Sequence, residues 1–420
     1  MEILERPVRR KASSQTLHIK TLASGALALA ATGLATAPLS AESAAFAQRS
    51  VKPAQDAVYV PPAQLGQFSP SGDVEDHTID YSYLDEALRW MVIPMGPSIR
   101  EMAPRRDPRL GTRRIQGHES RVRLEGNRVA FAFFTDDIRA SLTEYRADLE
   151  RVGSTLDITR IPRNEQLAFW LNLHNVAVIE ALAKEYPLTQ PSGRTFGSNE
   201  AVLDDAKLIT VAGVDLSPRD IRERIVYPNW RDPKVMYGFW RGEIGGPTIH
   251  RMAFSGPNVN SLLDASARDF VNSLRGVEKY SGALQVSQLY REAAPFYFKS
   301  DTALREHLAQ FADEPVQKLI KKTEKTAYNP DYELDIADMS RGETFAVLDN
   351  LLVDINPGDG TFLPGGAGVP QRPVSFRVNW GSQVLWEERR RKIFRAIRHG
   401  IPIGTVIVAG EDGVASPEVE

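Results

Sequence analysis

One segment constrains the fold more than any other: residues 164–186 read NEQLAFWLNLHNVAVIEALAKEY. Asn164 suits the N-cap of a helix and Pro187 lies just beyond the segment, so the pattern predicts one long helix. Apolar residues cover almost its whole circumference, which is typical of a helix that is buried on all sides. We therefore expect the other elements of the domain to surround this helix.

Three polar residues interrupt this apolar helix: Asn172, His174 and Asn175. At about 100° per residue, Asn172 and Asn175 share a face while His174 points away from Asn172, so the three do not converge on one ligand. Buried amides usually hydrogen-bond to the backbone of neighbouring loops. We favour this structural interpretation of Asn172 and Asn175, with direct ligand binding as the alternative.

The remaining pattern mixes helices with short strands and predicts an α+β fold, with a small sheet around the central buried helix and additional N- and C-terminal segments. Residues 206–216 alternate in period two around Ala212-Gly213, which predicts a hairpin. The sequence Ser217-Pro218-Arg219-Asp220 predicts a capped helix start. Further helices are predicted at 81–91, 136–151, 259–272, 287–320 and 387–399, and further strands at 235–240, 374–378 and 405–409.

The N-terminus predicts an export signal. Basic residues between Arg6 and Lys20 precede an uncharged, alanine-rich run over 21–37, and Ala45-Phe46-Ala47 offers a small-residue cleavage site. We expect residues 1–47 to be a signal peptide that is cleaved after Ala47, with an uncleaved membrane anchor as the alternative. The mature protein is then periplasmic or secreted and has no membrane span.

The mature chain divides into three parts. Prolines and little hydrophobic periodicity predict a linker over 48–76. Residues 77–330 are expected to form the main α+β domain, and residues 331–420 a C-terminal extension that packs on the same domain.

Composition removes several functional classes. The chain has no cysteine, which excludes disulfides, cysteine-ligated metals and a thiol nucleophile. Its net charge of −3 gives no bulk attraction to nucleic acid, so no such partner is expected. The histidines of the mature chain never lie three to five residues apart, so no metal site is predicted. No cofactor is expected either, because the glycines of 242–246 lack the lysine and hydroxyl partners of a phosphate loop.

A family resemblance is carried by three ordered motifs. The stretch 169–175, Phe-Trp-Leu-Asn-Leu-His-Asn, resembles the F-W-I-N-x-Y-N signature of the domain-of-unknown-function 547 family. Asp232-Pro233-Lys234-Val235 resembles the family's D-P-R-I, and the helix at 260–272 resembles its next segment. The resemblance covers residues 160–290 and implies the family's fold there. It implies no reaction, because the family offers no biochemical activity that could be assigned to this chain.

The departures from the family pattern concern its reactive groups. Typical members read D-P-R-I-H-F-A-L-N-C-G-x-x-S-C-P, whereas Met236 stands at the histidine, Arg241 at the first cysteine and Gly246 at the second. His174 replaces the tyrosine of the helical signature. Their joint loss favours a non-catalytic binding or scaffold protein of the cell envelope. The alternative is a periplasmic hydrolase with an acid/base site that the sequence does not identify.

The loop from Arg241 to His250 is the candidate binding site. Its glycines leave backbone amides exposed, and the planar fork of Arg241 suits a carboxylate or phosphate. We expect Arg241, Glu243 and His250 to border a shallow pocket for a small anion. The alternative is an internal Arg241–Glu243 ion pair that only rigidifies the turn. A Ser255/His250 nucleophile pair is disfavoured because the G-x-S-x-G elbow is absent.

A basic helix near the C-terminus is a second candidate surface for an anionic envelope polymer. We favour a solvated helix face whose cations suit the C-terminal helix dipole. The residues concerned are Arg389, Arg390, Arg391, Lys392, Arg395 and Arg398.

Overall fold

The computed structural model describes residues 63–72, 74–105, 117–329, 332–343 and 380–401, together with the short strands at 406–408 and 416–418. All of these lie within one compact unit, residues 59–420. The predicted signal peptide, most of the linker and the predicted strand at 374–378 lie outside the described residues.

Helices dominate the described chain, and the strands between them are short. No helix among the described residues combines the length and the apolar character needed to cross a bilayer. In chain order the main elements are α1 (Ser82–Met91), β1 (Val92–Ile93), β2 (Arg128–Val129), α2 (Asp136–Thr155), α3 (Arg163–Glu185), β3 (Ile209–Val211), β4 (Val214–Leu216), a π-helix (Asp220–Val226), a 3₁₀ helix (Pro233–Gly238), α4 (Val259–Val271), β5 (Val277–Tyr280), β6 (Ala283–Val286), α5 (Gln288–Tyr297), α6 (Asp301–Phe311), α7 (Glu314–Lys322), β7 (Thr326–Tyr328), α8 (Trp380–Arg398), β8 (Val406–Val408) and β9 (Ser416–Glu418).

The strands form small separate sheets. Strands β1 and β2, β3 and β4, and β8 and β9 pair antiparallel, while β6 pairs antiparallel with β5 and parallel with β7. The predicted α+β class is confirmed, with several small sheets in place of one.

Helix α3 is the centre of the core, as its all-round apolar surface predicted. Every residue from Glu165 to Ala183 is buried. The Trp170 ring packs edge-on against Phe68 at a centroid distance of 5.2 Å and against Phe169 at 5.0 Å. The N-cap prediction is wrong: Pro162 occupies that position in extended backbone and Asn164 lies in the first turn, because the fixed φ of proline already sets the helix entry.

The segment after α3 follows the local sequence signals closely. In the β3–β4 hairpin, Ala212 and Gly213 both take positive φ (48° and 74°), as a two-residue hairpin turn requires. The predicted cap is also confirmed: the Asp220 N–H donates to Ser217 Oγ at 3.1 Å, and the Ser217 N–H donates to Asp220 Oδ2 at 2.9 Å. The helix that follows is a π-helix, and it continues through Pro228 to Asn229.

The predicted strand at 235–240 is wrong. Residues Pro233–Gly238 form a 3₁₀ helix, which begins where Asp232 Oδ1 accepts the Lys234 N–H at 3.0 Å. Its apolar side chains are buried, and a Cβ on Gly238 would come within 2.7 Å of Leu171. A short apolar run is buried in either conformation, so periodicity alone does not separate the two.

Helix α8 is anchored to the chain around residues 94–125. Lys392 is only 2% exposed, and its Nζ donates to the carbonyls of Gly96 at 3.1 Å and Leu124 at 2.6 Å. Arg123, which is 1% exposed, donates to Glu388 at 2.6 Å. The solvated-face prediction is therefore wrong for Lys392, because these carbonyls replace its water.

Candidate functional site

The π-helix places a fully buried guanidinium, Arg222, beside the central helix. Arg222 donates to Asp204 Oδ2 at 2.6 Å, to Glu292 Oε1 at 3.3 Å and to His174 Nε2 at 3.2 Å. A π-helical turn is rare and often marks a functional position, because it redirects side chains out of α-helical register. Here the redirected side chain connects the turn that precedes β3 with α3 and α5.

Arg241 joins the same group of charges. Its two terminal nitrogens donate to both carboxylate oxygens of Glu292, at 2.9 Å and 2.6 Å. Arg222, Arg241, Asp204 and Glu292 together form what we call the arginine–carboxylate cluster. The ion-pair partner of Arg241 is thus Glu292 on α5, fifty residues further along the chain, and not Glu243.

His174 closes the cluster on the side of the central helix. Since Arg222 donates to its Nε2, the proton lies on Nδ1, which donates to Asn175 Oδ1 at 3.0 Å. Burial and the charge of Arg222 lower the pKa of His174 to about 3. This imidazole is neutral at neutral pH, and both of its nitrogens are already hydrogen-bonded.

The electrostatics of the cluster depend on its two carboxylates remaining charged. Burial alone would raise the pKa of Asp204, but Arg222 and Arg241 lower it below the usual value. The same balance lowers the pKa of Glu292, with Arg241 as the strongest favourable charge. Each charge is thus compensated inside the cluster, and the forks of both arginines are engaged by protein carboxylates.

Glu243 differs from the other acids of this region. Burial raises its pKa to about 8, although the charge of Arg241 acts in the opposite direction. Among the described residues, no basic side chain reaches ion-pairing distance of its carboxyl group. Glu243 is therefore mostly protonated at neutral pH and is able to donate a proton.

The two buried asparagines of α3 bind the backbone of two loops. Asn172 Nδ2 donates to the Phe254 carbonyl at 2.7 Å, and the Phe254 N–H donates back to Asn172 Oδ1 at 2.9 Å. Asn175 Nδ2 donates to the Gly238 carbonyl at 3.0 Å and its Oδ1 accepts the Trp240 N–H at 2.9 Å. This arrangement matches the structural interpretation of both residues.

His250 lies apart from Arg241 and Glu243. Its Nε2 is 2.5 Å from Ser266 Oγ, whose hydroxyl donates to the Leu262 carbonyl at 2.9 Å. The hydroxyl proton is therefore turned away from the imidazole, which does not activate Ser266 as a base would. Ser255 is not its partner; the Ser255 N–H donates to Asn258 at 2.8 Å.

The structure thus divides the five predicted site residues into two groups. Asn172, Asn175 and His250 border a void of about 10 Å³, which has room for one water molecule. Arg241 and Glu243 belong to the region of the arginine–carboxylate cluster. Within the described residues, no three His, Asp or Glu side chains are grouped to hold a metal ion.

Another feature, which the sequence did not indicate, is an open groove between α1 and α2. It has a volume of about 230 Å³, and we call it the aromatic groove. Apolar and aromatic side chains make up most of its walls, and Glu86 and Ser141 add polar groups. The lining residues on which its chemistry depends are Tyr83, Glu86 and Trp90 of α1, and Ile138, Ser141 and Tyr145 of α2.

The fold and the cluster define an α+β domain that is built on a buried, polar-interrupted helix and contains an internal arginine–carboxylate cluster. Residues 158–271 match the family described as "Protein of unknown function, DUF547". The match begins five residues before α3 and stops at the end of α4, which confirms the resemblance found in the sequence and places its end about twenty residues earlier. No curated protein and no solved structure matches the chain.

The matched segment contains Asp204, Arg222 and Arg241 of the cluster, together with the neighbouring His174, but not Glu292. Sequence reasoning missed Asp204, Arg222 and Glu292. The cap at Ser217 predicted the start of the helix, but no local sequence pattern predicted the π-helical register that turns Arg222 inward. The pairing of Arg241 with Glu292 joins distant positions and has no local signature.

Proposed function

We propose that this chain is an exported, non-catalytic binding protein of the cell envelope. Export rests on residues 1–47, where a basic region, an uncharged small-residue run and Ala45-Phe46-Ala47 follow one another as in secretory signals. The binding role rests on one observation above all, the aromatic groove between α1 and α2.

The groove has the composition of a ligand site. Binding sites for small molecules are concave, mostly apolar and aromatic, and carry a few polar groups that orient the ligand. The groove meets this description with Tyr83, Trp90 and Tyr145 as aromatic walls and Glu86 and Ser141 as polar groups. Its volume of about 230 Å³ suits a small ligand.

The arginine–carboxylate cluster supports a structural rather than a catalytic role for the family-like core. The imidazole of His174 is neutral and bonded at both nitrogens, and Glu292 engages the fork of Arg241. General acid/base catalysis needs a group whose pKa lies near the working pH and that reaches the substrate. His174, with a pKa of about 3 and full burial, meets neither condition.

A substrate screen tests the absence of catalysis. We expect the purified mature protein to turn over no ester, peptide or glycan substrate above the uncatalysed rate. Clear turnover that a single point mutation abolishes would overturn the proposal.

A periplasmic hydrolase is the second candidate, and Glu243 is the observation in its favour. A protonated carboxyl group with a pKa of about 8 has the state that a general acid needs. If the screen finds turnover, Glu243→Gln should abolish it, and Glu200→Gln, at an exposed site outside the cluster, should leave it unchanged.

For the loop from Arg241 to His250, we propose a small anion as the ligand of Arg241. Arg241 Nε is buried and has no hydrogen-bond acceptor among the described residues, but Glu292 occupies the other two nitrogens. We therefore expect inorganic phosphate to bind only if Glu292 is displaced. Arg241→Ala should then abolish any phosphate binding that calorimetry detects, and phosphate binding that survives this change would exclude the site.

A further inference from the structure

The aromatic groove presents a continuous aromatic wall, because the rings of Tyr83 and Tyr145 are in contact with each other. The rings of Tyr83 and Tyr145 stand on opposite helices with centroids 5.5 Å apart and planes tilted by 34°. Tyr83 is 56% exposed, so its ring is accessible from solvent. The face of an aromatic ring carries negative charge density and attracts an ammonium group within about 6 Å of its centroid.

Trp90 adds the strongest cation–π partner among the side chains of the wall. Its ring stacks on Phe134 at a centroid distance of 5.8 Å and an interplanar angle of 29°. This contact fixes the orientation of the indole, so that the groove does not need to order it on binding. A preformed aromatic wall reduces the entropy cost of capturing a ligand.

The charges around the groove are predominantly acidic. Burial raises the pKa of Tyr145, and the nearby carboxylates of Asp80, Asp85 and Asp148 raise it further. Glu86 lies on the opposite wall and has no ion-pair partner among the described residues. Helices α1 and α2 together carry seven acidic and four basic residues.

Most of the basic residues on these helices are already neutralised. Arg139 pairs with Asp136 at 3.0 Å, Arg146 with Glu150 at 2.5 Å, and Arg151 with Asp148. Arg89 is exposed and does not line the groove. An anionic ligand would therefore be repelled by Glu86, whereas a cation would find this carboxylate and aromatic faces together.

We propose that the aromatic groove binds a small organic ammonium ion, with the charged nitrogen against the aromatic wall and close to Glu86. The inference rests on the proposed binding function and names its ligand class. Ile138 and Leu142 supply the apolar surface for the body of the ligand, and Ser141 a hydroxyl for a polar substituent.

Choline and its neutral isostere 3,3-dimethylbutan-1-ol test the proposal directly, because they differ only in the charged nitrogen. We expect choline to bind at least about tenfold more tightly than the isostere by calorimetry or saturation-transfer NMR of the full mature chain. Glu86→Gln and Trp90→Phe should each weaken choline by about three- to tenfold. Glu144→Gln, an exposed carboxylate on α2 that does not line the groove, is the matched control and should leave binding unchanged.

The outcomes separate the ligand class from the binding function. Equal affinity for the two probes, or an unchanged affinity of Glu86→Gln for choline, would overturn the cationic ligand while leaving an apolar binding site. Binding of neither probe at millimolar concentration would also overturn the inference. The binding function itself fails only if the substrate screen finds turnover. Thermal melting of each variant confirms that the fold is retained.

Discussion

Asn172→Leu should be among the most destabilising single changes in the central helix. Leucine has a similar size but offers no hydrogen bond, so the change breaks both bonds between Asn172 and the Phe254 backbone. Asn172 and Phe254 are 2% and 3% exposed and the void beside them has room for only one water molecule, so bulk water does not replace the lost partner. The Phe254 carbonyl and N–H are both left unpaired inside the protein.

The cost follows from these two groups. An unpaired buried donor or acceptor costs about 1–3 kcal/mol, so Asn172→Leu should lower the free energy of unfolding by about 2–6 kcal/mol. Asn175→Leu should cost a similar amount, because it frees the Gly238 carbonyl and the Trp240 N–H. These values are a large share of the total stability of an ordinary domain, which is about 5–15 kcal/mol.

Urea unfolding followed by circular dichroism measures the change. Asn164→Leu is the matched control, because Asn164 is exposed in the first turn of the same helix, and it should change stability by less than about 0.5 kcal/mol. If Asn172→Leu and Asn175→Leu lose no more than the control, the two amides do not hold the loops. A ligand-directed role would then be favoured instead.

Three further changes test other parts of the structure. The pKa of His174 is lowered to about 3 in the folded state, so below the ordinary histidine pKa of 6.5 the unfolded chain binds more protons than the folded one, and the free energy of unfolding should fall by about 2 kcal/mol between pH 6.5 and 4.5. In urea titrations His174→Gln should not show this part of the loss at acid pH. If the variant loses as much stability over this pH range as the parent, the reasoning is wrong. The pKa of Lys392 is lowered to about 8, mainly by burial, so between pH 8 and 10.5 the unfolded chain binds more protons than the folded one and the free energy of unfolding should rise with pH. Relative to Lys392→Met, the parent should gain about 1–2 kcal/mol of stability between pH 8 and 9.5. Parallel curves of stability against pH for the two proteins would show that Lys392 titrates normally. Gly342 has a φ of 69° and a Cβ there would lie 1.6 Å from the Leu188 carbonyl, so Gly342→Ala should cost more than about 1 kcal/mol; the control Gly66→Ala, with open space around it, should melt like the parent.

Local signals in the sequence were sufficient to predict those elements whose conformation is set by residues within the element itself. The all-round apolar surface of 164–186 requires a helix that is buried on every side, whatever surrounds it. The hairpin at Ala212-Gly213 and the cap at Ser217 depend on residues that are two or three positions apart. In each case the interaction is encoded within one turn, so the pattern and the structure agree.

The interior of the candidate site was decided by tertiary contacts. Arg241 pairs with Glu292 and not with Glu243, because α5 packs against the 3₁₀ helix and places both carboxylate oxygens of Glu292 against the guanidinium. Lys392 is buried because it meets the carbonyls of Gly96 and Leu124, which lie 296 and 268 residues away in the sequence.

The sequence by itself determined the long helices, the helix that forms the core and the hairpin at Ala212-Gly213, because backbone dihedral preferences and hydrophobic periodicity act over a few residues. Only the tertiary structure decided the 3₁₀ conformation of 233–238, the partners of Arg222 and Arg241, and the groove between α1 and α2. An ion pair or a cavity wall depends on where two distant segments meet in space, and no local pattern of residues carries that information.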